Sequence, residues 1–163
     1  EEVDAKVRNL KPYKVVISAN FLIKKSIFTE LNLKIKSDSY GLDNYFGMLM
    51  KIKGVNIYHI NNEVFHLGIE QSRVYLNKVQ IAIKTLLSIY YGTVQIDSSS
   101  SLINMFMKLK KYKLNYFFYL YYVSFGSIIK RNLLSKNPIM ILLQAYKISY
   151  MCFIDIAKQI DNE

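Results

Sequence analysis

Residues 39–71 read SYGLDNYFGMLMKIKGVNIYHINNEVFHLGIEQ, and this stretch carries the pattern from which we predict the local fold. Its first half has apolar residues at the spacing of one helix face, namely Leu42, Tyr45, Phe46, Leu49 and Met50. Gly41 supplies the turn into this helix, and Gly54 lies where a C-terminal cap is expected. Asp43 therefore falls in the first helical turn, where free backbone N–H groups and the helix dipole favour a carboxylate.

The second half of the stretch has the pattern of two short extended segments. Val55–Ile60 is predicted to be a strand, and an Asn-Asn turn leads into Glu63–Leu67 as a second strand or extended segment. Upstream, the β-branched run Tyr13–Ala19 predicts a buried strand. A carboxylate, Asp43, and an imidazole, His66, would then lie at the ends of neighbouring elements, which is a geometry suited to a site.

Composition and charge limit the classes of protein to consider. The chain has 163 residues, enough for one domain with its own core, and its hydrophobic content of 52% argues against disorder. Only 2 Pro and 6 Gly argue against a sandwich or barrel with many turns. The net charge is +10, and residues 98–163 hold nine Lys or Arg against three acids. This excess of positive charge lies beside the most apolar part of the sequence, which favours an anionic membrane surface over nucleic acid as the binding partner.

The chain after the opening stretch is predicted to be mainly helical, with a long amphipathic helix from about Ser72. Residues 93–101 have the composition of a linker. We therefore divide the chain into residues 1–92, which carry the candidate site, and a basic, aromatic, helical region over residues 102–163.

Two features of the helical region have structural consequences. Leu114–Ile129 is the nearest candidate for a membrane span, but its sixteen residues are interrupted by polar side chains and fall short of the required length. Cys152 is the single cysteine, which excludes a disulfide within the chain and predicts a small buried side chain.

Several motifs resemble those in the C-terminal half of a family 2 glycosyltransferase catalytic domain. They are Tyr40-Gly41-Leu42-Asp43-Asn44 at the start of a helix, Gly54 before the next predicted strand, and Asn62–Glu70 with a central His-Leu-Gly. Two more segments resemble the same family, SANFLIKKSIF at residues 18–28 and NPIMILLQAYKISY at residues 137–150. Together the resemblance covers nearly all of residues 13–153.

The resemblance implies an α/β fold, with a Rossmann-like mixed sheet of the GT-A type, in a nucleotide-sugar-dependent transferase. It implies that Asp43 is the general base on the acceptor hydroxyl and that His66 is associated with a divalent metal or with the donor diphosphate. An inverting transfer needs a group that accepts the acceptor's proton, and a metal ion (Mn or Mg) offsets the charge of the leaving diphosphate. The candidate acceptor-binding residues are Asn20, Tyr40, Asn44 and Glu70.

The chain departs from the family pattern in two respects. Asp43-Asn44 stands where Glu-Asp is usual, so Asn44 would occupy the base position if the alignment shifted by one residue; alignment from Phe46-Gly47 favours Asp43. No Asp-x-Asp metal motif and no Gly-rich phosphate loop occurs in the sequence. We therefore expect an acceptor-side fragment of a longer enzyme, inactive without its donor-binding half, in which most metal ligands lie.

The segment KLKKYKLNYFFYLYY, residues 108–122, suggests two further interpretations. Lysines interleaved with aromatic residues suit single-stranded nucleic acid, but the neighbouring aliphatic residues and the absence of an RNA-binding motif argue against it. A membrane-surface helix explains the same residues better. The predicted function is sugar transfer to a glycan or lipid-linked acceptor in surface polysaccharide biosynthesis, at the cytoplasmic face of the cell membrane; the alternative is a non-catalytic membrane-surface binding module.

Overall fold

The computed structural model describes residues 3–14, 16, 20–35, 39–62, 64, 68, 70–92 and 100–160. These residues contain seven helices and no strand. The helices are α1 (Ala5–Asn9), α2 (Lys25–Asn32), α3 (Leu42–Lys53), α4 (Ser72–Gly92), α5 (Ser101–Lys111), α6 (Asn115–Leu133) and α7 (Met140–Ile160). The prediction of an α/β fold with a Rossmann-like sheet is therefore wrong for the described part of the chain.

Helix α7 is at the centre of the larger hydrophobic core, because α4, α5 and α6 all pack against it. Each of these helices contributes apolar residues that recur every three or four positions and so share one face. The buried residues of this core include Val79, Ile83, Leu87, Ile103, Phe106, Leu109, Ile148, Met151 and Cys152. The predicted burial of Cys152 is confirmed, and burial raises the pKa of its thiol to about 12.

This core joins helices from both sides of the predicted linker. Leu87 of α4 and Phe106 of α5 belong to the same buried cluster. Of the predicted linker, residues 93–99 lie outside the described residues, while Ser100 is the N-cap of α5 and accepts a hydrogen bond from the Ile103 N–H. The division of the chain into residues 1–92 and 102–163 stays a prediction.

Helices α6 and α7 pack as an antiparallel pair through aromatic rings. Tyr119 stacks on Phe153, while Tyr122 contacts both Phe153 and the fully buried Tyr146, one to two turns earlier in α7. The Tyr146 hydroxyl accepts a hydrogen bond of 2.6 Å from the Gln80 side chain of α4. A buried tyrosine needs such a partner for its hydroxyl, so this contact also fixes α4 against the pair.

A polar network lies within the same core. Asp155 is 2% exposed, and its carboxylate accepts a hydrogen bond from the Tyr91 hydroxyl. The Lys110 ammonium donates to the Tyr91 oxygen at 2.7 Å and lies 3.2 Å from Asp155 Oδ2. Burial alone would lower the pKa of Lys110, but the hydrogen bond to Tyr91 and the charge of Asp155 raise it overall. The network thus connects α4, α5 and α7 through one buried carboxylate.

A second, smaller core lies in the N-terminal part of the chain. Its buried members are Leu31 from α2 and Phe46, Leu49 and Met50 from α3. Gly47 lets the main chain approach α3 closely, because a Cβ here would lie 2.7 Å from the Tyr13 carbonyl oxygen. Helix α3 has contacts with both α2 and α4, so it joins the small core to the rest of the molecule.

The segment Val55–Ile60 is extended, but side chains take the place of a neighbouring strand. The Asn9 amide accepts from the His59 N–H and donates to the His59 carbonyl, as a paired strand residue would. Tyr13 donates to the Val55 carbonyl, and Arg8 donates to the Ile60 carbonyl. Because residues of α1 and the turn after it satisfy these backbone groups, this segment forms no sheet with any described part of the chain.

The remaining local predictions have mixed outcomes. Helix α3 begins after Gly41 and ends at Gly54, both in the left-handed conformation, as predicted. The last helix, within the segment NPIMILLQAYKISY and beyond it, begins at Met140, two residues after Pro138. Only parts of the other predicted strands are described: residues 13, 14 and 16 of Tyr13–Ala19 and residue 64 of Glu63–Leu67, and none of these is in a strand.

One helix in the described residues is long and apolar enough to cross a membrane. It is not the sequence-based candidate Leu114–Ile129 but Met140–Gln159, within α7. Half of the residues in its most apolar window are buried inside the protein, as in the core helix of a soluble protein. Length and composition therefore do not by themselves make α7 a membrane span.

The Phe106→Ala variant tests the larger core. Phe106 is fully buried between α4, α5 and α7, so truncating its ring leaves a cavity that helix packing cannot close. We expect the free energy of unfolding to fall by about 3–5 kcal/mol in urea denaturation. Met105→Ala, at an exposed position on the same helix, should change it by about 0.5 kcal/mol or less; equal effects would contradict this packing.

The Asp155→Asn variant tests the buried network. Removing the charge leaves the partly exposed Lys110 without its anion, and we expect a loss of about 1–3 kcal/mol at neutral pH. Glu30→Gln, which removes an exposed carboxylate paired with Lys53, should leave the free energy of unfolding nearly unchanged.

The same network predicts how stability depends on pH. The folded pKa of Lys110 is raised above 10.5, so its stabilisation is present below that pH and is lost as pH rises through the folded pKa. Alkaline pH should therefore destabilise the wild type more steeply than Asp155→Asn in denaturation curves collected on both sides of pH 10.5. Parallel pH profiles for the two proteins would contradict the pairing.

Candidate functional site

The turn before α3 is held against α4 by a close backbone approach. Gly41 has φ +93°, and a Cβ at this position would lie 2.9 Å from the Ala82 Cβ. Only glycine combines this left-handed conformation with so short a separation. The segment that starts the predicted Tyr40–Asn44 motif is therefore packed directly on the surface of α4.

Two side-chain contacts, made by the two residues before Gly41, fix the same turn. The hydroxyl groups of Ser39 and Thr85 share a hydrogen bond of 2.6 Å. The Lys78 ammonium lies 5.4 Å from the centre of the Tyr40 ring, within the range of a cation–π interaction. Lys78, Ala82 and Thr85 are spaced at helical intervals and line one face of α4, so a single helix face positions the turn.

Asp43 lies in the first turn of α3, as predicted, and its side chain is exposed. It forms no ion pair with the lysines and arginines in the described part of the chain. Asn44 is exposed as well, but successive helical residues point about 100° apart. A substrate that approaches Asp43 along its side chain would therefore meet the Asn44 amide only from the side.

Lys78 brings together two of the predicted acceptor-binding residues. It forms an ion pair with Glu70 and lies over the ring of Tyr40. The hydrogen bond to Glu70 raises the pKa of Lys78, which keeps the ammonium charged. Tyr40 and Glu70 thus lie on the same side of the molecule, next to the start of α3, although thirty residues separate them in the sequence.

Asn20, the remaining predicted acceptor-binding residue, lies elsewhere. Its amide donates to the Asn62 carbonyl at 3.0 Å and accepts from the Asn62 side chain at 3.3 Å. The two asparagines line a cavity of about 1080 Å³ between α2, the C-terminal end of α3 and the extended segment after it. Neither Tyr40, Asp43 nor Glu70 lines this cavity, so the structure divides the predicted residues between two places.

The predicted metal ligand His66 lies outside the described residues. Among the residues that the structure describes, no group of three or more His, Cys, Asp or Glu side chains could hold a metal ion. His59, in contrast, is fixed by main-chain contacts, and its Nε2 lies 2.9 Å from the Pro12 carbonyl oxygen. The predictions of a divalent metal and of His66 as its ligand stay predictions.

Sequence reasoning did not identify Lys78 or the contact face of α4. Lys78 follows Glu70 by eight residues, and Glu70 lies before the start of α4. The rule that residues three or four apart on one helix contact each other therefore does not predict this pair. The Lys78 side chain points away from the core-facing Val79 and Ile83, which predicts at least partial exposure, but exposure alone does not identify a partner.

Comparisons with protein families, with curated proteins and with solved structures find no significant match to this chain. The resemblance to family 2 glycosyltransferases therefore depends on the quoted motifs alone. The geometry at the start of α3 is independent of that resemblance.

Two glycine variants test how the turn is held. Gly41→Ala combines a positive φ with a Cβ that overlaps Ala82, whereas Gly54→Ala at φ +70° meets open space. We expect Gly54→Ala to cost about 1 kcal/mol, the penalty of the left-handed conformation, and Gly41→Ala to cost clearly more in thermal or urea denaturation. Equal losses would show that the turn is not packed on α4.

Proposed function

We propose that this chain is the acceptor-side part of a nucleotide-sugar-dependent glycosyltransferase and that Asp43 is its general base. The observation that carries the proposal is an exposed carboxylate in the first turn of α3, within a Tyr-Gly-Leu-Asp-Asn segment that resembles the family's motif. A general base must be within hydrogen-bond reach of the proton it removes, and an exposed side chain on a fixed turn meets that need.

The reaction proposed is an inverting transfer. The acceptor hydroxyl oxygen attacks the anomeric carbon of the donor sugar, and a new C–O bond forms as the bond to the nucleoside diphosphate breaks. The proton of the hydroxyl passes to the Asp43 carboxylate, and the electron pair of the broken bond leaves with the diphosphate. The acceptor is a glycan or a lipid-linked sugar of surface polysaccharide biosynthesis.

Asp43 suits the role of base better than Asn44. A carboxylate accepts a proton at neutral pH, whereas the amide of an asparagine has no comparable basicity. Asn44 remains suited to a hydrogen bond with a sugar hydroxyl beside the base.

Tyr40, Glu70 and Lys78 form a surface suited to the rest of the acceptor. Aromatic rings provide an apolar face for a sugar, while carboxylates and ammonium groups form hydrogen bonds with its hydroxyls. The ion pair between Glu70 and Lys78 is exposed, and solvent weakens the attraction within exposed pairs. Both groups can therefore exchange this contact for one with the acceptor at little cost.

The proposal assigns donor binding and the divalent metal to groups outside the described residues. The sequence holds no Asp-x-Asp motif, and the described residues offer no set of metal ligands. Only acceptor binding and proton removal are assigned to this part of the chain.

The Asp43→Asn variant tests the proposal in the protein as its gene encodes it, with a radiolabelled nucleotide-sugar and purified acceptor. Loss of a general base should lower kcat between about a hundredfold and ten-thousandfold and leave the donor KM within about twofold. Glu30→Gln is the matched control, since it removes an exposed carboxylate on α2, away from this turn.

Either of two results would contradict the role of Asp43. Turnover that survives Asp43→Asn but falls in Asn44→Ala would move the function to Asn44. Transfer that neither variant alters would exclude this turn from catalysis. Circular dichroism and urea denaturation of each variant separate a lost base from a lost fold.

A further inference from the structure

Helix α6 exposes one apolar face along most of its length. The large apolar residues on it are Tyr116, Phe117, Leu120, Val123 and Ile128, each at least 55% exposed. Tyr116, Leu120 and Val123 are four and three residues apart and so follow one line of the helix. The residues of α6 that pack inward, Gly126, Ile129 and Leu133 among them, lie on the opposite side. Exposed Ser124 and Ser127 interrupt this face in its C-terminal half, and the apolar part before them, from Tyr116 to Val123, is of the kind that marks an interaction surface.

Further exposed apolar side chains lie beside both ends of the helix. Before α6, the exposed side chains of Tyr112 and Leu114 lie in the turn after α5. After α6, the Ile139 N–H donates to the Asn132 side chain at 3.0 Å, which holds the start of α7 against the end of α6. Ile139, Met140 and Ile141 are all more than half exposed there.

Positive charge lies at both ends of this face, and α6 itself contains no acidic residue. Lys111 and Lys113 are exposed just before α6, and Arg131 follows the line of Leu120 at the other end, eleven residues on. No acidic residue occurs in the sequence between Asp97 and Asp155, and Asp155 is buried and paired. An apolar strip between two basic ends is complementary to a surface of anionic headgroups above acyl chains.

Other occupants fit this face less well. A second copy of the chain would bring the same basic ends together on a protein whose net charge is already +10. A nucleic acid would match the lysines but would face aliphatic side chains, Leu120, Val123 and Ile128, in the centre of the patch.

We propose that α6 lies in the plane of an anionic lipid bilayer, with its exposed apolar face in the headgroup–acyl boundary and the basic residues at its ends on the headgroups. Helix α7 stays in the protein core, because its rings and Asp155 are occupied by α4, α5 and α6. The surface binds the membrane without crossing it. This assignment does not depend on the proposed transferase activity, since it uses none of the residues around Asp43.

The chain offers a clean spectroscopic probe because it contains no tryptophan. Leu120→Trp places a single indole in the centre of the face, where burial in lipid shifts its emission to the blue and brominated acyl chains quench it. We expect both effects with phosphatidylcholine vesicles that contain about one-third phosphatidylglycerol, and weak binding to phosphatidylcholine alone. An unchanged emission with the anionic vesicles would overturn the proposal.

Vesicle flotation separates the apolar and the electrostatic contributions. The double variant Leu120→Ser, Val123→Ser should weaken partitioning into the anionic vesicles by about tenfold or more. Lys111→Gln, Arg131→Gln should weaken it several-fold and reduce its dependence on salt. Leu22→Ser, Leu33→Ser is the matched control, since both residues are exposed and apolar but lie far from α6 in the fold, and it should bind as the wild type does.

Each alternative outcome of these measurements overturns the proposal. Equal flotation of the wild type and the Leu120→Ser, Val123→Ser protein would show that α6 is not the contact. A dimer in lipid-free buffer that this variant dissociates would assign the face to a second copy. Retention of single-stranded oligonucleotide in place of vesicles would assign it to nucleic acid. The substituted side chains are exposed, so circular dichroism should be unchanged in every variant.

Discussion

The burial of α7 is the constraint on which the rest of the helical structure depends. Its apolar residues extend around most of the helix, so three other helices are needed to cover them. Each covering helix then has one face committed to the core and one left outside. The face of α6 that remains outside is apolar, whereas the outer face of α5 ends in lysines. Buried Asp155 also constrains how α4 and α5 are oriented against α7, because its carboxylate must contact Tyr91 and Lys110.

Helix α4 connects the large core to the candidate site. One face, with Val79, Ile83 and Leu87, is buried against α5 and α7. The nearly opposite face carries Lys78, Ala82 and Thr85, which hold the turn before α3 and thereby set the position of Asp43. Helix α4 therefore links the large core to the turn, although no core residue contacts Asp43 directly.

Local features of the sequence predicted local structure well. The apolar spacing of α3, its two glycine ends and the place of Asp43 in its first turn were all confirmed, because each depends on neighbours within about four residues. The α/β prediction failed where the partner is distant. Val55–Ile60 has the composition of a strand, but the groups that pair with it are the side chains of Asn9, Tyr13 and Arg8. Residue composition predicts an extended backbone, but it does not predict which groups form hydrogen bonds with that backbone.

The sequence by itself determined that α3 is helical and where it begins and ends, that the chain from about Ser72 is mainly helical, and that positive charge lies beside the aromatic segment. These properties follow from side-chain periodicity, cap residues and formal charge, which are written residue by residue. Only the tertiary structure decided that Lys78 joins Tyr40 to Glu70, that Asn20 lies apart from them, and which face of α6 stays outside. Those outcomes depend on which helix faces are buried by long-range packing against α4 and α7, and no short window of sequence contains that information.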